Sequence, residues 1–276
     1  MSQDTGKFRQ NKNDQFYTKA SIATKCVNTI LTKCPEAITY QWIEPSAGSG
    51  AFLKALPATI HPISLDIDPK GPGIEQTDFL KWTSSSTTNQ PRIFFGNPPF
   101  GRQGSTAKAF IKHAATSATI IAFILPRSFV KPSMNKIFPL HFHCIHTEDL
   151  PKYAFEVNGQ VYDVPCVFQI WQRQTEERTL EPPTNPIGFQ YVKYEQPFHI
   201  AIRRIGINAG RAHPAGNYAR QSHYFLQLEE QHIPRIPTII EKLNQHTFPS
   251  NTTGPRSLSK SEICETLNKI LFDANK

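Results

Sequence analysis

An apolar run that ends in two consecutive prolines constrains the fold of this chain more than any other stretch. Residues Arg92–Gly96 read Arg-Ile-Phe-Phe-Gly, and Asn97-Pro98-Pro99-Phe100 follow directly. The run is typical of a buried strand, and the prolines cannot continue a sheet because each has a fixed φ and lacks a backbone N–H. The sequence therefore predicts a strand that stops at Gly96 and a rigid loop that presents the Asn97 side chain and the Pro98 carbonyl.

That loop offers groups suited to holding an amine. The Asn97 carboxamide oxygen and the Pro98 carbonyl oxygen are hydrogen-bond acceptors for an NH2 group. Phe100 is predicted to present its ring at the same rim, where it would stack on a planar base taken out of its helix. Asn-Pro-Pro is also ordinary turn chemistry, so this interpretation depends on the rest of the chain.

Strands alternate with helices over residues 18–172. Apolar spacing predicts helices over residues 20–34, with Thr18 as the N-cap, and over residues 105–115. Predicted strands cover residues 38–43, 60–65, 92–96, 119–125, 142–146 and 165–171, with a turn signal at residues 157–160. This alternation predicts an α/β fold with a Rossmann-like, mostly parallel sheet and a terminal antiparallel hairpin.

A proline-rich break at residues 181–186 separates this sheet from the rest of the chain. Beyond it, strands are predicted over residues 189–194 and 198–202, and a helix over residues 260–271 with Ser259 or Ser261 near its start. We therefore expect a flexible segment at residues 1–14, a large domain at residues 15–175 and a smaller α+β C-terminal region at residues 187–276.

Composition excludes several classes of protein. No apolar stretch in the 276 residues approaches the roughly 20 residues needed to span a membrane, so no membrane partner is expected. The polar N-terminus has no apolar signal core, which predicts an intracellular protein, cytoplasmic or located in the nucleoid or nucleus. The five cysteines are scattered and predict reduced thiols. A His-x-His-Cys-x-His pattern at residues 141–146 alternates between strand faces, so no metal site is predicted.

The charge is positive and unevenly placed. The net charge is +8, and no acidic residue occurs between Asp78 and Glu148 although eight basic residues do. These are Lys81, Arg92, Arg102, Lys108, Lys112, Arg127, Lys131 and Lys136. They flank the Asn97–Phe100 loop in sequence, which predicts a positive surface that recruits a polyanion.

A second motif predicts a nucleotide-like cofactor. Gly48-Ser49-Gly50 lies between a predicted strand and a short helix, where glycines let the backbone approach a ligand closely. Asp66 ends the following strand, where a carboxylate can accept hydrogen bonds from ribose hydroxyls. Only eleven residues separate Asp66 from Asp78, so the helix that usually follows such a strand hardly fits.

In this order, the motifs resemble those of class I S-adenosylmethionine-dependent methyltransferases of the amino-methylating kind, over roughly residues 12–172. Residues 14–19 (Asp-Gln-Phe-Tyr-Thr-Lys) and 44–50 (Glu-Pro-Ser-Ala-Gly-Ser-Gly) resemble the cofactor motifs of adenine methyltransferases. Asn97-Pro-Pro-Phe100 is similar to the catalytic loop of restriction-modification methylation subunits and of some RNA adenine-N6 methyltransferases.

The resemblance implies S-adenosyl-L-methionine as the cofactor and a set of site residues. The implied catalytic residues are Asn97, Pro98, Pro99 and Phe100. The implied cofactor-binding residues are Phe16, Tyr17, Thr18, Glu44, Pro45, Ala47, Gly48, Gly50, Phe52, Asp66, Ile67, Asp78, Phe79 and Asn97. Basic residues expected to contact nucleic acid are Arg102, Lys108, Arg127, Lys131, Arg203 and Arg204.

We therefore expect an enzyme that methylates N6 of adenine in nucleic acid, with DNA slightly favoured over RNA by the form of the motifs. One alternative is a protein glutamine N5-methyltransferase, because related enzymes use an Asn-Pro-Pro-Tyr loop. Another is a non-catalytic nucleic-acid-binding subunit with a methyltransferase-like fold, and dependence on a partner subunit stays open.

The C-terminal region contains a mixture of basic and aromatic residues. This mixture suits either phosphate contacts with base stacking or a solvated face of salt bridges. Its members are Arg203, Arg204, Arg211, Arg220, His223 and Tyr224.

Overall fold

The computed structural model describes residues 16–84, 90–157, 159–180, 182, 184–249 and 256–272. The chain divides into two units, the first ending at Leu180. The segment at residues 1–14, which was predicted to be flexible, lies outside the described residues.

The strands and helices of the first unit alternate as predicted. Its strands are β1 (Tyr17–Thr18), β2 (Gln41–Glu44), β3 (Ile63–Asp66), β4 (Glu75–Gln76), β5 (Arg92–Gly96), β6 (Ile120–Pro126), β7 (Phe142–Asp149), β8 (Phe155–Val157), β9 (Gln160–Tyr162) and β10 (Cys166–Arg173). Its α-helices are α1 (Ala20–Lys33), α2 (Ala51–Ala55), α3 (Ser105–Ala114) and α4 (Pro132–Asn135).

Seven of these strands form one sheet in the order β4-β3-β2-β5-β6-β10-β7. The pairs from β4 to β6 are parallel, and β10 is antiparallel to both of its neighbours. The prediction of a Rossmann-like α/β fold with a mostly parallel sheet and an antiparallel end is confirmed. The turn signal at residues 157–160 belongs to a separate hairpin, β8–β9, which pairs with β1 in a small three-stranded sheet; Asn158 lies outside the described residues.

The apolar strand β6 explains why the sheet has helices on both faces. All seven of its residues are buried. Ile120, Ala122 and Ile124 pack in one core cluster with α1. The residues that alternate with them, Ile121, Phe123 and Leu125, pack in a second cluster with α3. A strand buried on both faces must be apolar along its whole length, as this one is.

Some predicted boundaries are wrong. The strand predicted over residues 38–43 begins only at Gln41, because Pro35–Thr39 form a 3-10 turn. Helix α1 has Lys19, not Thr18, at its N-cap, because Thr18 pairs with Phe155 in the small sheet. As expected, residues 67–77 contain no helix, and the short strand β4 connects Asp66 to Asp78.

The described part of the second unit is an antiparallel sheet with two α-helices. Its strands are β11 (Phe189–Val192), β12 (Ile200–Arg203), β13 (Ala212–Pro214) and β14 (His223–Leu228), and its helices are α5 (Ile236–Gln245) and α6 (Lys260–Phe272). The sheet order is β11-β14-β12-β13. The sequence predicted β11, β12 and α6 and missed β13, β14 and α5. Ser259 caps α6, since its hydroxyl accepts from the Glu262 amide while the Glu262 carboxylate accepts from the Ser259 amide.

Candidate active site

A pocket of about 600 Å³ opens at the carboxyl ends of β2, β3 and β5, the edge where ligands bind in open α/β sheets. Predicted residues that line it are Phe16, Tyr17, Thr18, Glu44, Pro45, Ala47, Gly48, Phe52, Asp66, Ile67, Asp78, Phe79, Asn97, Pro98, Pro99 and Phe100. Gly50 is the one predicted cofactor residue outside this lining. Residues that the sequence did not indicate are Ser46, Ser49, Ala51, Asp68, Thr77, Leu80, Thr106 and Phe110.

The glycine-rich turn is shaped by its backbone and by Asp66. Gly48 has φ +54°, and a Cβ there would lie 3.1 Å from the Tyr17 ring. Gly50 has φ +77° and is the N-cap of α2, so its role is to allow the backbone conformation in which this helix begins. The Asp66 carboxylate accepts from the Gly48 amide at 2.7 Å and from the Asp68 amide at 2.8 Å. Asp66 therefore fixes the turn and also places its carboxylate at the pocket wall.

Glu44 is a buried acid at the end of β2. Its exposed fraction is 1%, and its Oε2 atom has no hydrogen-bond partner among the described residues. Burial, together with the nearby charge of Asp66, raises the pKa of Glu44 to about 8. A buried carboxyl with an unsatisfied oxygen is suited to a cationic ligand group, which would favour its charged form.

Asn97 is held with its carboxamide oxygen available. The Nδ2 group donates to the Phe16 carbonyl at 2.9 Å, which fixes the orientation of the amide. The Oδ1 atom is buried and has no partner among the described residues. The Asn97 carbonyl accepts from the Ser46 hydroxyl at 3.1 Å. Among the described residues, no backbone hydrogen bond uses the Pro98 carbonyl, and Pro98 lines the pocket beside Asn97.

Phe100 and Phe79 line the pocket with largely buried rings, and the predicted free ring of Phe100 is the one expectation that differs. Phe100 is 5% exposed and belongs to the core cluster of α1, so its ring is not a free surface at the rim. Phe79 is 2% exposed and packs against Phe110. The apolar side chains that remain open are Ile67, 68% exposed, and Leu80, 40% exposed. Leu80 belongs to no sequence motif, and its position two residues after the predicted cofactor residue Asp78 is the sequence signal that could have indicated it.

The basic residues predicted to contact nucleic acid do not line the pocket. Arg102 lies in the turn after the Asn97–Phe100 loop, Lys108 on α3, and Lys131 at the start of α4. Arg127 forms an ion pair with Asp149 at 3.0 Å.

Arg203 and Arg204, the two remaining basic residues of that set, lie in the second unit. Arg203 ends β12. The Arg204 guanidinium lies 5.3 Å from the centre of the Tyr224 ring.

The side chains of the histidine-rich segment at residues 141–146 make separate local contacts. His141 lies 3.5 Å from the Glu177 carboxylate, and the His143 ring contacts the Glu176 carbonyl. Cys144 contacts the Thr147 hydroxyl at 3.2 Å. Within the described ranges, no group of three or more His, Cys, Asp or Glu residues is arranged to hold a metal ion, and no helix has the length and apolar character that a membrane crossing requires.

No protein-family model matches the chain, and no curated protein matches it significantly. Solved structures with a similar fold include a Pyrococcus horikoshii protein provisionally described as an RNA methyltransferase, with 13% identity, a TM-score of 0.45 and coverage of 58% of this chain and 87% of that one. The methyltransferase subunit of a type I restriction-modification system from Streptococcus thermophilus also has 13% identity and a TM-score of 0.45, with coverage of 98% of this chain and 59% of that one.

The N-methyltransferase NodS from Bradyrhizobium japonicum, solved with S-adenosyl-L-homocysteine, has 9% identity and a TM-score of 0.41, with coverage of 55% of this chain and 86% of that one. At these identities and TM-scores the likenesses carry no weight for the activity of this chain.

Proposed function

We propose that the protein is an S-adenosylmethionine-dependent methyltransferase that acts on N6 of adenine in nucleic acid. The observation that carries this proposal is the state of Asn97. Its amide nitrogen is tied to the Phe16 carbonyl, while its buried oxygen has no partner among the described residues. A buried, oriented and unsatisfied acceptor is costly to the free protein and is accounted for by a ligand that donates a hydrogen bond.

The pocket residues fit S-adenosylmethionine. Asp66 would accept hydrogen bonds from the ribose hydroxyls with the lone pairs that its two backbone bonds leave free. The buried carboxyl of Glu44 would pair with the ammonium group, and the open side chains of Ile67 and Leu80 would pack on the adenine ring. Bound there, the cofactor supplies a methyl group that is electrophilic because it is attached to a sulfonium.

The Asn97–Phe100 loop would align the amine that receives the methyl group. An aromatic amine is a poor nucleophile because its lone pair is delocalised into the ring. The Asn97 Oδ1 atom and the Pro98 carbonyl can accept its two hydrogens and favour a pyramidal nitrogen with a directed lone pair. Neither group is a base at neutral pH, so the proton would leave late, to water, and catalysis consists of alignment and preorganised hydrogen bonds.

Nucleic acid is favoured as the carrier of the amine by charge and by burial. The acid-free stretch between Asp78 and Glu148 carries eight basic residues, which suits a polyanion better than a peptide. The Asn97 oxygen is buried, so a base stacked in a duplex would not reach it. The target adenine would have to be unpaired or flipped into the pocket. DNA remains slightly favoured over RNA by the motif form alone.

The test measures methyl transfer from labelled S-adenosylmethionine to single-stranded DNA, duplex DNA, RNA and a glutamine-containing peptide. We expect labelled N6-methyladenine from at least one nucleic acid. Asn97→Ala should lower kcat about a hundredfold or more, because it removes an aligned hydrogen bond, and cofactor affinity should change little. Asn28→Ala, which alters an exposed asparagine on α1, is the matched control and should be fully active.

Three outcomes would contradict the proposal. Full activity of Asn97→Ala would reject the role of the carboxamide. Transfer to the peptide and not to nucleic acid would favour the glutamine methyltransferase. Cofactor binding without transfer to any of the four substrates, in the presence of an adenine-rich oligonucleotide, would favour a non-catalytic subunit.

A further inference from the structure

One face of the four-stranded sheet in the second unit carries basic and aromatic side chains. The other face is apolar: Ile200, Ile202 and Leu226 pack with α5 and α6 in one core cluster. Because side chains alternate along a strand, Arg203 and its cross-strand partner His223 lie on the face away from these helices. We call this the outer face and define it by Arg203, Arg211, His213, Tyr218 and His223.

Aromatic rings form a continuous row on the outer face. The His213 and Tyr218 rings are stacked, with centroids 5.6 Å apart and an angle of 27° between their planes. Tyr218 lies 5.1 Å from His223, which in turn contacts Phe225 at 6.5 Å. His213 and Tyr218 are half-buried, whereas His223 and Phe225 are buried. The half-buried Tyr218 ring therefore packs against the buried His223 ring, which holds it in place as a stacking surface.

The arginines of the outer face, Arg203 and Arg211, have no acidic partner among the described residues, although the Arg203 Nε group donates to the Ile205 carbonyl at 3.1 Å. Arg203 donates its backbone amide to the Arg211 carbonyl, so the two arginines are neighbours on adjacent strands. No ion pair among the described residues involves either guanidinium. Glu195 is the single acidic residue between residues 182 and 228, and it pairs with Arg220 at 2.6 Å. Burial lowers the pKa of His213, and the nearby charges of His223, Arg211 and Arg203 lower it further, as expected in a positive cluster.

A rigid turn next to Arg203 adds an apolar group. The Ala209 amide donates to the Gly206 carbonyl and closes a turn at residues 206–209. Ile207 is the second residue of this turn and is 92% exposed. The Gly206 amide donates to the Arg256 carbonyl, and the Gly210 amide donates to the Arg203 carbonyl. The turn is thus anchored on both sides, and it presents an isoleucine to solvent beside a guanidinium.

We propose that the outer face, together with the neighbouring turn that carries Ile207, binds an unpaired strand of nucleic acid, with phosphates on Arg203 and Arg211 and bases on the His213–Tyr218 pair and Ile207. Arginines alone would bind any polyanion, including a duplex, through its phosphates. Supported rings and an exposed isoleucine add affinity only for bases whose faces are free, which occurs in single strands. The ligand belongs to the same class as the substrate in the proposed function, but it binds at a separate site in the second unit.

The test measures the binding of fluorescein-labelled single-stranded and duplex oligonucleotides by anisotropy over a range of salt concentrations, without cofactor. Arg203→Gln/Arg211→Gln should weaken single-strand binding at least tenfold. It should also reduce the slope of log K against log salt by about 1.4, since each phosphate contact to a single strand contributes about 0.7. Lys242→Gln/Lys269→Gln removes the same charge from exposed positions on α5 and α6 and should bind like the wild type.

Aromatic stacking is tested by Tyr218→Ala and Tyr218→Phe. Tyr218→Ala should weaken single-strand binding fivefold or more, in line with about 1–3 kcal/mol per stacked base, and leave the salt slope unchanged. Tyr218→Phe keeps the ring and should restore binding. Thermal unfolding of each variant checks that the sheet is intact.

Duplex binding as tight as single-strand binding, or no effect of Tyr218→Ala in a folded variant, would overturn the proposal in favour of a general polyanion surface. Equal loss of heparin and oligonucleotide binding in Tyr218→Ala would do the same. Because no methyl transfer is measured, an inactive enzyme that binds single strands through these residues would contradict the proposed function and leave this inference standing.

Discussion

Glu44 is the residue whose ionisation depends most on whether the pocket is filled. With a pKa of about 8, its carboxyl is mostly protonated at pH 7 in the free protein. A cationic ligand group beside it would lower that pKa, so we predict that binding of S-adenosylhomocysteine or S-adenosylmethionine releases a proton from the protein at pH 7.

Calorimetric titration in buffers with different ionisation enthalpies measures this proton. The observed binding enthalpy should vary with the buffer for the wild type and should vary much less for Glu44→Gln, which has no proton to release. Identical enthalpies in all buffers for the wild type would show that Glu44 is already ionised or does not face the cation.

Because the pKa of Glu44 is raised, we also predict that the stability of the free protein depends on pH. Folding raises the pKa of this acid from its ordinary value of 4.5 to about 8, so the folded state binds more protons between these two pH values. The free energy of unfolding should therefore contain a contribution from Glu44 that is complete below about pH 4.5 and is lost as the pH rises through about 8.

Urea unfolding at pH 5 and pH 8 measures this contribution as the difference between wild type and Glu44→Gln. Wild type should lose more stability between the two pH values than the variant, by on the order of 4 kcal/mol at most. The other titratable groups cancel in this comparison. An equal loss in both proteins would show that the buried carboxyl is not the source.

At the scale of elements, the turn between the Asn97–Phe100 loop and α3 depends on Gly101. Its φ of 69° and ψ of 175° lie in a region that is essentially confined to glycine. A Cβ there would lie 2.2 Å from the Thr106 hydroxyl oxygen and 2.8 Å from the Thr106 amide nitrogen. Thr106 lines the pocket, and its amide donates to the Phe100 carbonyl, so the clash would displace the loop.

We therefore predict that Gly101→Ala lowers kcat/KM for methyl transfer at least tenfold. Gly159→Ala is the matched control, because Gly159 also has a positive φ, +75°, but a Cβ there would meet nothing within 4 Å. Both variants place an alanine at a positive φ, which strains the backbone, and Gly101→Ala adds the clash with Thr106. A thermal melt of each variant therefore separates a loss of stability from a loss of activity. Similar activity of the two variants would show that the turn tolerates the displacement.

Several elements could be predicted from sequence because local signals agreed. Strand β5 has the predicted bounds since an apolar run meets two prolines, and β6 is within a residue of its prediction at each end. The missing helix between Asp66 and Asp78 followed from the length of the connection. In these places a local feature of the sequence is enough to indicate where the element begins and ends, or that a helix does not fit.

Other parts depend on contacts between distant residues. Thr18 joins a strand because it pairs with Phe155, and the Asn97 amide is oriented by Phe16, 81 residues earlier. The strand β14 was missed because it has no simple alternation: the consecutive residues Phe225 and Leu226 are both buried, and their burial depends on contacts with other parts of the second unit. The sequence indicated the residue types of the site, and the long-range contacts decide which atoms stay available.

At the scale of the whole molecule, the pocket and the outer face belong to different units. Every residue that lines the pocket lies between Phe16 and Phe110, and the first unit, which ends at Leu180, has its own sheet and its own two core clusters. The outer face lies on a sheet with a separate core. Cofactor binding and single-strand binding should therefore be separable by truncation.

We predict that a fragment of residues 1–180 binds S-adenosylhomocysteine with nearly the affinity of the full chain but loses most of its affinity for single-stranded oligonucleotides. Circular dichroism and a cooperative thermal transition establish that the fragment is folded, and ligand should raise its Tm because it binds the native state alone. Asp66→Ala in the fragment is the control and should abolish that increase. A folded fragment without cofactor affinity would place part of the cofactor site beyond Leu180, and a fragment that keeps full single-strand affinity would assign that binding to the basic stretch after Asp78 instead of the outer face.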